Sequence, residues 1–448
     1  MRTFYARIIL VSLALFLVAC GSEEPAGSTP EPTNPPVATD EPAPATSEPA
    51  PTEAPAEPTA APAEPTAAIE PTEPAAAAAP TTNLTDGCVE QYDEAVDYFP
   101  EKVTVSHSQG FTVEYFNHYK LVTVTAPYVG AAESVQYVLL QCGTPRPEGF
   151  DAAAVIEVPV NSIVAMSTTY LPALVELGLA DRLVGLDTPL YVTNPTVREL
   201  IDDGVLAEIG SGPDVNVEVA LDLNPDLIMT YASGFPEFDA YPILEQAGLP
   251  VALNADYTDL TPLGRAEWID YIALFFNKEA AAEQIFGDIA TEYDALLTLA
   301  ATAGERPTVF TNAPFEGIWY MPGGASYTAR LLADAGADYL WADDESSGTL
   351  YLDFEAVFAV AADADYWLHV GYFPTMADLL AADERFGEFA AFQNGNVWNY
   401  DAITNEAGGI DFFESGAQFP NLVLADMIKI FHPDLLPDHE FVYHRPVQ

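Results

Sequence analysis

Positive charge is scarce in this sequence: 448 residues hold 14 Lys and Arg against 68 Asp and Glu, a formal charge of −54 at pH 7. That balance disfavours nucleic acid as a partner, because phosphate contacts need clustered Lys and Arg. It fits a saline habitat or simple solubility, and locally a positively charged partner. Cysteine is nearly absent, with three residues in all, so at most one internal disulfide can form. Signatures of catalysis are missing too. No phosphate-cradling Gly loop, no Gly-x-Ser-x-Gly elbow and no His-Glu-x-x-His occurs, and the acids are too many for any pair to stand out. The chain is therefore read as a non-enzyme that carries no cofactor of its own.

What is present begins with Arg2 and Arg7, an apolar run from Ile8 to Ala19 interrupted only by Ser12, and then Leu17-Val-Ala-Cys20-Gly21. A basic start, a short apolar stretch and small residues before a cut site describe a signal peptide over residues 1–19, too short to span a bilayer. Leu-Val-Ala-Cys is similar to the bacterial lipobox, which implies cleavage before Cys20 and lipidation of its thiol. Residues 20–82 follow, built almost entirely of Pro, Ala, Glu and Thr, with no Lys, Arg or aromatic residue. Such a composition cannot offset the entropy of ordering and reads as a disordered stalk. At ~3.1 Å per residue its reach is at most roughly 190 Å. The expected location is extracytoplasmic, anchored to the cell membrane. Without Arg2, Arg7 and the twelve acids between Glu23 and Asp86, 56 acidic and 12 basic residues remain, a charge of −44 on the folded part.

With Cys20 assigned to lipid, Cys88 and Cys142 remain as a pair in an oxidising compartment, and a disulfide between them is the economical reading. Two separate buried thiols are the alternative. Residues 83–159 are strand-like, with Phe111-Thr-Val-Glu-Tyr-Phe, Lys120-Leu-Val-Thr-Val-Thr and Val135-Gln-Tyr-Val-Leu-Leu separated by turn residues. From Val160 short apolar strands alternate with amphipathic stretches, as in Ser162-Ile-Val-Ala-Met, Asp226-Leu-Ile-Met-Thr and Pro250-Val-Ala-Leu, which argues for an α/β sheet.

The chain also repeats itself. Tyr170 to Gly185, with Gly178 and Asp181, returns in outline as Tyr327 to Ala342, with Gly336 and Asp338. Downstream, Asn216-Val-Glu218 precedes the strand at Asp226, and Asp353-Phe-Glu355 precedes the strand at Asp365. Asn216 and Asp353 are N-caps by type, which places both glutamates in a first helical turn. Between the two halves, residues 261–303 carry Trp268, Ile272 and Phe275, a break at Asn277, then Ile285, Ile289, Tyr293, Leu296 and Ala300 at helical spacing. A long helix between two lobes limits them to a small closure around a ligand. The expected organisation is a β-rich addition at 83–159, an α/β lobe at 160–260, an interlobe helical segment at 261–303 and a second α/β lobe at 304–448.

Leu177-Gly-Leu-Ala-Asp-Arg-Leu-Val-Gly185, Asn216-Val-Glu-Val-Ala-Leu-Asp-Leu-Asn-Pro-Asp-Leu-Ile228, Leu244-Glu-Gln-Ala-Gly-Leu-Pro-Val251 and Ala425-Asp-Met-Ile-Lys-Ile-Phe-His432-Pro are weak motifs singly, but their order and spacing are distinctive. Together they resemble the substrate-binding lipoproteins of ATP-driven importers for ferric siderophores and cobalamin, from about Val160 to the C-terminus. The resemblance implies two α/β lobes bridged by one long helix, a ligand cleft between them, and an N-terminal addition like that of some members. It implies an ABC permease and its ATPase as partners, a monomeric carrier, and a ferric siderophore, cobalamin or haem as ligand. It also gives Glu218 and Glu355 the role of docking on the permease through arginines, where carboxylates on two lobes read the distance between them.

Loops at the C-terminal ends of the strands are expected to line the cleft. They hold Tyr170, Tyr191 and Tyr231 in the first lobe and Trp319, Tyr320 and Tyr372 in the second, aromatics suited to a large chelate or corrin ring. Arg330 is a cation there for an anionic siderophore. Any single aromatic of this set is more readily a core or rim residue than a contact, and the expectation is that several of the set touch ligand. A zinc- or manganese-binding importer component is the competing reading, from His432, His439 and His444 with Asp434, Asp438 and Glu440 between them. His432-Pro433 reads as a helix stop within one lobe, which weighs against it, and no metal site is assigned. A surface sensor of the same fold is the other alternative.

Overall fold

The computed structural model describes residues 79–150 and 155–448. The signal peptide, Cys20 and nearly all of the stalk lie outside the described residues.

Four strands open the described chain: β1 (Phe111–Tyr115), β2 (Tyr119–Val124), β3 (Val135–Gln141) and β4 (Val155–Val158). They form one sheet in the order β1-β2-β3-β4, antiparallel except for the parallel β3–β4 pair. In β2 the burial alternates along the strand, so Lys120, Val122 and Val124 point inward. Cys88 and Cys142 are bonded to each other and tie the start of this segment to the end of β3.

The first lobe follows with β5 (Ile163–Ala165), β6 (Leu183–Leu186), β7 (Ala207–Glu208), β8 (Leu227–Thr230) and β9 (Val251–Leu253), all parallel, in the order β7-β6-β5-β8-β9. The second lobe holds β10 (Thr308–Thr311), β11 (Trp319–Pro322), β12 (Asp338–Tyr339), β13 (Thr349–Leu352), β14 (Tyr366–Leu368), β15 (Val397–Asn399) and β16 (Arg445–Pro446). Its main sheet runs β12-β10-β14-β15-β16, with only β16 antiparallel, and β11 pairs with β13 as a separate antiparallel ribbon. The molecule is thus a two-lobed α/β protein with parallel sheets. Reversal of strand order next to β5 and β10 creates the crevices where open α/β sheets bind ligands.

Shared local devices explain the internal repetition. Asn216 caps the helix Val217–Leu223 by accepting the Val219 amide at 3.2 Å, and Asp353 caps Phe354–Ala361 through the Ala356 amide at 2.8 Å. Next, Asp226 accepts the Asn161 amide at 2.7 Å just ahead of β5, as Asp365 accepts the Thr308 amide at 2.8 Å at the start of β10. Each lobe therefore uses one carboxylate to fasten two adjacent strands. Gly178 and Gly336 stop the matching helices at φ +69° and +81°, a conformation glycine adopts without a Cβ clash.

Between the lobes, the helix Trp268–Leu274 is wholly buried, Asn277 turns the chain at φ +54°, and the helix Glu279–Ala300 runs 22 residues. One apolar core passes from Phe99 and Phe111 through Ile269 and Phe275 to Trp367 and Val423. The N-terminal segment is fixed to this core by buried polar contacts. Lys120 pairs with Glu279 and bonds the Leu274 carbonyl at 2.6 Å and Asn277 at 2.8 Å. Glu267 accepts the amides of Ser106, His107 and Ser108. Burying such charges costs several kcal/mol each unless their hydrogen-bonding capacity is met, as it is here. Among the described residues, no helix is long and apolar enough to cross a membrane.

Candidate functional site

Three parallel strands of the first lobe end at one cavity of about 430 Å³. Ser167, Thr169 and Tyr170 follow β5, Tyr231 to Ser233 follow β8, and Asp256 and Tyr257 follow β9. The carboxyl ends of adjacent parallel strands carry these loops to the same side, so sequence-distant residues converge. Tyr170 is buried, with its hydroxyl donating to the Asn254 carbonyl at 3.4 Å, and its ring forms the floor. Tyr257 donates to the Ala232 carbonyl at 2.7 Å and locks two of the loops together.

Titratable groups surround the cavity. Burial pushes the Asp256 carboxyl up, while the Arg265 guanidinium, the Tyr257 amide and the Thr169 hydroxyl pull it back. Asp187, at the end of β6, is pushed up to about 6 by burial, against the opposing Thr188 amide at 2.7 Å. Arg265 itself is fixed. It donates to the carbonyls of Asp259 at 2.8 Å and Tyr257 at 3.0 Å, and stacks 4.0 Å from the ring of Tyr327, the first residue of the second-lobe helix Tyr327–Asp334. A guanidinium on an aromatic face contributes about 0.5–2 kcal/mol and here links the two lobes beside the cavity. The arrangement offers aromatic faces, hydroxyls and a carboxylate, and it suits binding of a rigid organic ligand.

Of the residues expected in the cleft, Tyr170 and Tyr231 line this cavity. Trp319 does not, and its assignment is corrected. It is 0% exposed, with its ring among Phe310, Trp367 and Phe389 and its indole N–H bonded to the Thr311 carbonyl at 2.9 Å. Alternation along β11 sends Trp319 inward and leaves Tyr320 partly exposed against Tyr351, 5.6 Å away. Arg330 does not line the cavity either: its side chain is exposed, with Nε 4.0 Å from Asp334, which accepts the hydroxyl of Tyr293 on the long helix. Tyr191 and Tyr372 are exposed on loops, the latter at 92%, and neither lines the cavity.

Glu218 and Glu355 are exposed in the first turns of their helices. Glu355 pairs with Arg385 at 3.1 Å, and the same guanidinium also grips Asp383 at 2.6 Å. The three C-terminal histidines do not converge: His432 bonds the Gly336 carbonyl at 3.1 Å, whereas His439 and His444 share Asp426 at 2.7 and 3.1 Å.

Asp256, Tyr257, Arg265 and Val129 also belong to the site but were not singled out from the sequence. The strand ending at Leu253 was recognisable, and the loop after it was the signal for the first two. Nothing in the sequence marks Val129, which comes from the N-terminal strand segment.

Residues 163–404 match the model of a family described as periplasmic binding protein. An uncharacterized lipoprotein of Methanocaldococcus jannaschii is 25% identical over 337 residues, covering 72% of this chain and 83% of the relative. Among solved structures, a periplasmic heme binding protein from Pseudomonas aeruginosa aligns with a TM-score of 0.47 and 20% identity, covering 61% of this chain and 93% of that one. An ABC transporter substrate-binding protein from Listeria monocytogenes aligns with a TM-score of 0.46 and 19% identity, over 61% and 99%.

Proposed function

The chain belongs to the periplasmic binding protein family, and on that premise we propose that it is the ligand-capture component of an ABC importer, taking up a metal chelate such as a ferric siderophore, cobalamin or haem. One observation carries this reading: the cavity at the ends of β5, β8 and β9, floored by Tyr170 and walled by Tyr231, Tyr257 and Asp256. Its aromatic surface fits a flat or caged ligand, and its hydroxyls and carboxylate supply the few directional contacts that orient it.

Capture takes place outside the cytoplasm, on a carrier tethered through lipid at Cys20 and the stalk over residues 20–82. The tether raises the carrier's effective concentration at its permease. Docking uses Glu218 and Glu355, exposed at corresponding places on the two lobes, against arginines of the permease. The carrier binds, closes slightly, docks and releases without chemistry. Isothermal titration of the purified protein with haem, cyanocobalamin and ferric siderophores tests the ligand class. Saturable one-to-one binding of one of them supports the reading, and absence of binding across the panel removes it.

A further inference from the structure

Between β2 and β3, the chain makes a tight turn in which the Ala131 amide bonds the Tyr128 carbonyl at 3.0 Å and Gly130 sits at φ +84°. A positive φ at the third position is the mark of a type II turn, which fixes Val129 at the tip. Val129 is 74% exposed, yet it lines the cavity with Tyr231, Ser233 and Tyr257. Its neighbour Tyr128 packs against Gly234, where an added Cβ would come within 2.8 Å of the ring. Tyr257, beside Val129 in the cavity lining, is itself held by its hydroxyl donating to the Ala232 carbonyl at 2.7 Å.

This turn is not a loose appendage. At the far end of β3, the Cys88–Cys142 disulfide anchors the segment, and within β3 the Tyr137 hydroxyl accepts the Leu253 amide at 2.9 Å, on the edge strand β9. Lys120 and the amides held by Glu267 fasten the same sheet to the interlobe helices. The turn is therefore held over the cavity by a rigid sheet, and it lies wholly outside residues 163–404 that match the family model.

We propose that Val129, backed by Tyr128 on Gly234, forms a third wall of the ligand cavity and sets its selectivity, admitting ligands that present an apolar flank to Val129. This rests on the cavity being the ligand site. The exposed isopropyl group gains a partner only when a ligand covers it, and burying a side chain of that size is worth about tenfold or more in affinity.

Full-length protein carrying Val129→Trp, which narrows the cavity, or Val129→Asp, which charges its rim, is titrated with haem, cyanocobalamin and ferrioxamine B. Both variants should weaken the best wild-type probe at least tenfold with the unfolding midpoint unchanged. Affinity within twofold of wild type in both would overturn the proposal. Hydrogen exchange at residues 231–234 and 256–258 supplies a probe-free check. In Tyr128→Gly with Val129→Gly it should quicken at least tenfold, and unchanged exchange would also overturn the wall. If wild type bound none of the three probes while exchange quickened, the ligand class proposed above would fail and the wall would stand.

Discussion

Glu414 of the second lobe accepts the backbone amide of Thr193 in the first lobe at 2.6 Å, across 221 residues of sequence. The same carboxylate takes the Thr193 hydroxyl at 2.9 Å and the Asn194 amide at 2.8 Å. Asn405 adds bonds to the carbonyls of Leu190 and Val192. The lobes are thus clasped at a point distinct from the long helix. Glu414→Ala leaves two amides unpartnered at a part-buried site and should cost about 2 kcal/mol. Urea unfolding measures this, and a cost under about 0.5 kcal/mol would show that the clasp contributes little.

Asp270 is 0% exposed, and neither carboxyl oxygen has a hydrogen-bond partner among the described residues. Burial first, then Glu283, Glu267 and Glu279, pushes its carboxyl up to about 8. The folded state therefore keeps a proton that the unfolded state loses near pH 4. Its contribution is fully present below pH 4, declines as pH rises towards 8, and levels off above. Asp270→Asn should flatten the wild-type loss of stability between pH 6 and 8 by about 2 kcal/mol. Parallel pH profiles of the two proteins would refute this.

The disulfide closes a loop of 54 residues. Cys88→Ser with Cys142→Ser should lower stability by about 2–4 kcal/mol, chiefly by freeing the unfolded chain. Thermal melts with and without reductant check it, and wild type but not the double variant should respond to reductant.

Tyr231 and Trp319 separate cavity from core. Tyr231→Ala should weaken ligand binding about tenfold with little change in stability, because its ring is partly exposed on the cavity wall. Trp319→Ala should cost about 3–5 kcal/mol through the cavity left among Phe310, Trp367 and Phe389. Equal effects of the two on both measurements would contradict these placements.

Glu218→Ala with Glu355→Ala should abolish uptake in cells carrying the cognate importer while leaving ligand affinity within twofold. Arg385→Ala should leave uptake intact, since it frees Glu355 from an exposed pair and leaves its carboxylate in place. Loss of ligand affinity in the double glutamate variant would assign those residues to binding rather than docking.

The interlobe segment was legible because its signals are local. The apolar spacing of Trp268, Ile272 and Phe275, the break at Asn277 and the long periodic run after it reappear as two helices hinged at a residue with φ +54°. The repeated caps Asn216 and Asp353 were readable for the same reason. Trp319 shows where such reading stops. A strand's period of two says that Trp319 and Tyr320 face opposite ways, but which face meets the core is set by β13 and the sheet beneath.

By itself, the sequence determined alternation, capping and the repeat of one α/β design, since each depends on residues a few positions apart. The cavity is different in kind. Tyr170, Tyr231 and Tyr257 meet because three parallel strands end side by side, and Val129 joins them because Tyr137 docks its sheet on β9. Arg265 meets Tyr327, and Glu414 meets Thr193, only after the lobes pack on the shared helices. Such contacts carry no local periodicity, so only the tertiary structure could decide them.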